Sequence, residues 1–343
     1  MRGALQGVGP ALLLPPARAL DGLRARILRL IGPLLAPWWR DRDARVTALG
    51  AVSVVGALAL AVHAPVLLLA WGPLCLGVPH LVADVRYLFV RRALHRRPAV
   101  WALVVAPACS AWILPHAAIP LLAVAGAGLC IEGSPRRRAL VVALGVGLSL
   151  SVDKLGRSGD LAIAHGHNLV ALALFVVWTR RRGRAHGALA LGTLGAAGLL
   201  LAGGFDRWAL PALLRGGPLA LDRLVRGLAP IGDPVLGLRL VLVFAFLQSV
   251  HYGVWVRLVP ELDRSRRGPR PFARSVTALA DDLGWTPVLL AAMATVGLLG
   301  YGALDTEAAR DLYLRLALFH GPLELGLAAL LLAEGRLPLA ERA

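Results

Sequence analysis

Four stretches of this chain combine histidine with a second polar side chain, and each lies inside an apolar run. The first reads GVPHLVADVRYLF, with His80 and Asp84 four residues apart. The second, LAIAHGHNLVALALF, carries His165, His167 and Asn168. The third, FLQSVHYGVWV, carries Gln248, His251 and Tyr252. The fourth, LFHGPLELGLAALL, repeats the four-residue spacing with His320 and Glu324. Residues four apart share one face of an α-helix. Neutral imidazole ligates iron, copper and zinc well, and a carboxylate on the other ring N–H fixes the tautomer and orientation of such a ligand. Histidines on four helices therefore describe a metal centre, with Asp84 and Glu324 either orienting the imidazoles or ligating directly. His165 and His167 diverge by ~200° around a helix, so one of them faces the centre; depth along the segment favours His167. Asp84, Glu324 and Tyr252 are the candidate catalytic groups.

A single intramembrane histidine is often only a hydrogen-bonding partner between helices. Four of them, each with a polar neighbour, favour a shared site. Counted at ~1.5 Å per residue from the outer helix ends, the four fall within ~10 Å of one another along the membrane normal. His63 and His116 sit at predicted outer helix ends, and His95 and His186 in basic loops; these four are read as solvated or facing lipid headgroups.

The elements that must hold these residues are membrane helices. Of 343 residues, 57% are hydrophobic and 17% charged, with a mean hydropathy of +0.68; a soluble domain carries about 25% charge. The apolar residues form long runs, which excludes a soluble enzyme, a disordered chain and a disulfide-rich secreted domain. The fold expected is all-α: a polytopic integral membrane bundle of about ten spans, at 47–62, 65–90, 99–115, 117–132, 139–152, 161–179, 186–202, 235–259, 285–303 and 312–333. Residues 1–46 form a cytoplasmic, interfacial segment, 47–333 a single membrane domain and 334–343 a cytoplasmic tail. Within the first, Leu20, Leu23, Ile27, Leu30, Ile31 and Leu34 recur at helical spacing opposite Arg24, Arg26 and Arg29, the pattern of an amphipathic helix on a membrane surface.

The net charge of +17 is almost all arginine, and its placement supports the span count. With ten crossings, Arg91–Arg97, Arg136–Arg138, Arg180–Arg184 and Arg264–Arg274 all fall on the side of the N-terminal arginines, which the positive-inside rule makes cytoplasmic. Both termini are then cytoplasmic. The same reasoning assigns the arginines to topology and sets nucleic acid aside as a partner. The one long outer connection, 203–234, includes Trp208, Leu219, Leu221, Leu224 and Val225 and reads as an interfacial helix or lid. Cys75, Cys109 and Cys130 are scattered within apolar runs and read as small core residues.

At the first histidine the chain resembles a known family. GVPH with Asp84 four residues on is similar to the Gly-x-Pro-His-Gly-x-x-Asp signature of the Brp/Blh-type bacterial β-carotene 15,15′-dioxygenases, with Leu81 where that signature has glycine. His320-Gly321-x-x-Glu324 echoes the same pattern. The resemblance covers about a tenth of the chain. It implies a multi-span helical protein of a bacterial inner membrane, a non-haem iron held by histidines from several helices, and oxidative cleavage of a carotenoid. Carried over, it makes His80 a ligand with Asp84 its neighbour, and matches His251 and His320 to histidines of later helices.

Four functions compete. The first is a metal-dependent oxygenase, Fe(II) held among His80, His167, His251 and His320, acting on an apolar lipid or isoprenoid that arrives from the bilayer. The second is a b-type haem protein with two of these histidines as axial ligands; no CxxCH attachment motif is present. The third is a proton- or ion-coupled transporter lined by the same polar groups. The fourth is a scaffold without chemistry. The histidine boxes of membrane desaturases, a Walker A loop, HExxH, and GxSxG with a credible triad are absent.

Overall fold

The structure is a computed structural model that describes residues 2–114, 116–179, 184–215, 227–229, 233–264 and 268–336. Among these, all regular structure is helical. In chain order the helices are α1 (Arg2–Arg40), α2 (Arg42–His63), α3 (Pro65–Val90), α4 (Pro98–Trp112), α5 (Ala118–Cys130), α6 (Pro135–Leu155), α7 (Arg157–Thr179), α8 (Arg184–Leu201), α9 (Asp206–Leu214), α10 (Pro234–Leu262), α11 (Phe272–Leu283), α12 (Trp285–Leu304), α13 (Thr306–Ala317) and α14 (His320–Ala333). Seven segments are long and apolar enough to cross a membrane: α2, α3, α7, α8, α10, α12 and the joined α13–α14. The expected spans 99–115, 117–132 and 139–152 correspond to α4, α5 and α6, which are not among the seven: α4 and α5 are shorter, and α6 begins on three arginines and ends on Asp153 and Lys154. Leu219, Leu221, Leu224 and Val225 of the long connection, Arg180–Arg182, and the tail beyond Arg336 lie outside the described residues.

α10 is the axis of the bundle. It packs against α2, α3, α7 and α8, and Val241–Gln248 and Val250–Tyr252 are all buried. A helix apolar on every side belongs inside other helices. α3 packs on α10, α12 and α13, and α14 on α5 and α7, so the four histidine-bearing helices meet around α10. α1 packs against α2, α11 and α12, and Leu20, Leu23, Ile27, Leu30 and Ile31 remain exposed on it. Arg24 instead turns to α11, bonded to the Arg270 carbonyl at 2.9 Å and lying over the Phe272 ring.

Several helix irregularities fall beside polar residues, though a π stretch at Trp101–Val105 in α4 is wholly apolar. Pro73 lacks the amide that would bond the Leu69 carbonyl; Arg310 Nε of α13 donates to that carbonyl at 3.1 Å. A polar side chain thus satisfies backbone that the bilayer would leave unpaired. α3 passes into a π turn at Val85, directly after Asp84, and α10 into one at Val254, two residues after Tyr252. A π turn changes the face that the following residues present. Within the π turn of α3 and just after it, Arg86 and Arg91 pair with Asp282 and Asp263 (2.7 and 2.6 Å).

The most buried ion pair was not expected. Glu261, close in sequence to a run of arginines, is fully buried and takes Arg45 Nε at 2.6 Å and Arg264 at 2.5 Å. Arg45 is 1% exposed. The pair ties the start of α2 to the end of α10. Burial holds Arg264 below the usual arginine range, at about 10, with Glu261 opposing the shift. His186, expected in solvent, is also buried, its ring against Phe175.

Removing one partner of a buried ion pair costs about 3–5 kcal/mol, because the other charge stays buried. Glu261→Gln is expected to lower stability by that order, measured as earlier unfolding of the detergent-solubilised protein. An Arg45→Met, Glu261→Met double variant is expected to lose less than the two single changes summed.

Candidate metal centre

Four of the five candidate histidines converge. The ring centroids of His80 lie 5.4 Å from His251 and 4.9 Å from His320, and those of His167 lie 5.1 Å from His251 and 4.9 Å from His320. The rings meet edge to face. His80 and His251 are buried with the carboxylates Asp84 and Glu324, each at 5% exposure or less. One donor atom each from His80, Asp84, His251 and His320 lies within 4.8 Å of the others, and the same holds for His167, His251 and Glu324. His165 is outside this cluster. Its Nε2 bonds the Leu228 carbonyl at 2.9 Å and its ring lies on Phe244, as the 200° divergence on one helix requires.

The hydrogen bonds fix what the imidazoles present to the centre. His320 Nδ1 lies 2.5 Å from the Ala317 carbonyl, and His167 Nδ1 lies 3.1 Å from the Ala164 carbonyl. A carbonyl only accepts, so each Nδ1 carries the proton and each neutral ring turns an Nε2 lone pair inward. The Ala317 carbonyl is available because the helix breaks at Leu318–Phe319, so the break itself aims His320. The two Nε2 atoms stand 3.1 Å apart. Two lone pairs at that distance repel unless a cation, a shared proton or a metal ion, interacts with both. Nearby, both nitrogens of His80 and of His251, both oxygens of Asp84 and Oε2 of Glu324 are buried without a hydrogen-bond partner. Native proteins pair most buried polar atoms, and an intramembrane site has little water to replace the missing partners. Asp84 and Glu324 line one small void with His320.

The candidate catalytic tyrosine packs on the cluster, with the Tyr252 ring 4.6 Å from that of His80. Two neighbours escaped the sequence reading. Trp255 Nε1 donates to Glu324 Oε1 at 3.2 Å, and Trp255 is four residues after His251. Tyr313, buried, stands seven before His320. Trp255 is a helical neighbour of a histidine already singled out, and that spacing would have found it; the break at Leu318–Phe319 takes Tyr313 out of helical register with His320. Gly77 of the GVPH motif has a spatial role: a Cβ there would overlap the Tyr313 ring, so this glycine admits Tyr313 one turn from His80.

A cavity of about 360 Å³ reaches the cluster at the His167–His320 edge. His167 and His320 form its inner end together with Asn168, Gln248 and Tyr252, whereas His80 and His251 do not line it. Comparison with protein-family models, curated proteins and solved structures returns no match for this chain.

Overpacking a filled site costs about 1–3 kcal/mol. Gly77→Ala is expected to destabilise the protein by that order when Tyr313 is present and to be close to neutral in a Tyr313→Ala background. Thermal unfolding of the four proteins of this double-mutant cycle measures the difference.

Proposed function

We propose that this protein is an integral membrane metalloenzyme, an oxygenase of the non-haem iron kind acting on an apolar lipid or isoprenoid such as a carotenoid. The observation that carries the reading is the pair of facing Nε2 lone pairs at 3.1 Å within a buried set of unpartnered histidine and carboxylate atoms. Bonds of ~2.1 Å to a metal with angles of 90–110° place two ligand nitrogens about 3.0–3.4 Å apart, which brackets the separation here. A shared proton would answer for one pair of nitrogens and leave the nitrogens of His80 and His251, both oxygens of Asp84 and Oε2 of Glu324 without partners. Four neutral imidazoles and two carboxylates also carry the charge that balances one divalent ion.

In this reading His80, His167, His251 and His320 hold Fe(II), with Asp84 and Glu324 as further ligands or orienting groups. The metal supplies the dioxygen chemistry. The chain supplies the rest. Trp255 orients Glu324, the Ala317 and Ala164 carbonyls set the tautomers of His320 and His167, and Tyr252 and Gln248 face a substrate beside the cluster. Burial of the far side by α3, α10 and α14 keeps water from it. A b-type haem suits this packing less well, because imidazoles in edge-to-face contact leave no slot for a porphyrin plane between them. Proton- or ion-coupled transport is favoured by one feature, the two carboxylates on a common void.

The topological reading has ten passes, with α4, α5 and α6 completing the seven longer segments, α1 in the cytoplasmic interface and both termini inside a bacterial inner membrane. Its support is that every strongly basic connection then falls on one side. Reporter fusions at 91–97, 136–138 and 264–274 are expected to report the cytoplasm, and a fusion within 203–234 the opposite side.

Metal analysis and an absorption spectrum of detergent-purified protein test the function. Stoichiometric iron without a Soret band is expected, falling at least tenfold in His80→Ala and His251→Ala. No iron, copper or zinc above trace, or metal unchanged in those variants, would overturn the reading. Proton-coupled uptake into liposomes abolished by Glu324→Gln would favour transport instead.

A further inference from the structure

The cavity beside the cluster has a direction. Its walls come from α7, α10 and α13–α14 at intervals of three to eight residues, as in Asp160, Ile163 and His167 on one wall and Phe244, Gln248 and Tyr252 on another. Lining residues that recur at helical spacing on three helices describe a shaft running along the helices. From Asp160 to His167 it covers seven residues, or ~10 Å at the rise of an α-helix. Its two ends differ from its middle. The inner end is the histidine pair. The middle is apolar, built from residues such as Ile163, Ala164, Phe244, Leu314 and Ala317.

The outer end is polar. Arg157, His116 and Asp160 all line it. Asp160 bonds both His116 Nδ1 (3.0 Å) and the Ala117 amide (2.8 Å), so the connection between α4 and α5 is pinned to the start of α7 as a fixed rim. The rim stands at the N-terminal end of α7, a candidate membrane helix, which the ten-pass reading puts at the outer level where lipid headgroups meet the hydrocarbon. A wholly apolar ligand would gain nothing from such a rim. A chain with one polar end would keep that end at the rim and bury its tail.

We propose that the shaft binds a single-chain amphiphile, an isoprenoid or acyl chain with one terminal oxygen-bearing group, the polar end held at Arg157 and His116 and the chain directed at His167 and His320. This rests on the oxygenase reading for what happens at the inner end, and narrows its substrate class from any apolar lipid to one polar at one end. It also sets the reacting position roughly 10 Å from the polar group. The volume suits a ligand of this size, since pockets for small molecules run about 300–1,000 Å³.

Farnesol and farnesene test the proposal, because they share a fifteen-carbon chain and differ in the terminal hydroxyl. Equilibrium binding of each to the full-length protein in nanodiscs is measured beside metal content. Farnesol is expected to bind at least tenfold more tightly than farnesene, as one well-made hydrogen bond supplies. An Arg157→Gln, His116→Gln variant is expected to bring the two within about twofold. Ile163→Trp and, from the opposite wall, Leu314→Trp fill the shaft and are expected to abolish farnesol binding with the metal content of the wild type retained. Equal affinity for the two ligands in the wild type, or farnesol binding unchanged in both tryptophan variants, would overturn the proposal. Selective farnesol binding by a protein without metal would support the shaft assignment and overturn the oxygenase reading, so the two fail separately.

Discussion

A polar centre inside an apolar bundle must be reconciled with its surroundings. Each charged or strongly polar group at mid-membrane depth costs roughly 2.5–3.5 kcal/mol unless something compensates it, and here two carboxylates and four imidazoles are gathered at one point. The rest of the architecture follows from that concentration. α10 stands in the middle because it carries His251, Tyr252 and Trp255 on one stretch and must be enclosed on every side. α13 and α14 are interrupted at Leu318–Phe319, and the carbonyl released there fixes the ring of His320. π turns begin close after Asp84 and Tyr252, and α3, which faces the centre up to Asp84, pairs its arginines Arg86 and Arg91 with Asp282 and Asp263 beyond it.

The arginines have two physical roles. Their excess between apolar runs obeys the logic of membrane orientation. Several of them also hold helices together. Arg45 and Arg264 close on Glu261, Arg86 and Arg91 on Asp282 and Asp263, and Arg97 on Glu334. Arg310 supplies the donor that Pro73 removes from α3. Planar guanidinium with several donors suits this work, and gives a physical use for arginine at sites where one cation must meet several acceptors.

The centre and its approach are separate constructions. Four helices make the cluster, and its deep side is sealed by α3, α10 and α14. The shaft meets only the His167–His320 edge. A ligand arriving there meets inward-facing nitrogens held by backbone carbonyls, with Gln248 and Tyr252 alongside. The arrangement leaves His80, His251, Asp84 and Glu324 buried while the His167–His320 edge opens to the shaft.

How much of this was legible in the sequence depends on contrast. His80, His167, His251 and His320, with Asp84 and Glu324, stood out because a polar residue in an apolar run has a cost that composition alone exposes. Helical geometry required that only one of His165 and His167 face the centre, and depth along the segment favoured His167. His186 was misread, and Glu261 was passed over, because each lies near charged loops, where sequence offers no contrast between a solvated group and a buried one. Tyr313 and Trp255 were passed over because an aromatic residue in a membrane helix looks like packing, although the four-residue spacing from His251 places Trp255 at the site; Tyr313 lies across the break at Leu318–Phe319 from His320. The sequence by itself determined an all-helical chain with membrane-length segments and a short set of residues unable to rest in lipid without compensation, since both follow from hydrophobicity and local periodicity. Only the tertiary structure decided that those residues face one another, that two Nε2 atoms stand 3.1 Å apart and that a shaft reaches them from one side. Those properties depend on distances between helices far apart in the chain, which periodicity within each helix does not contain.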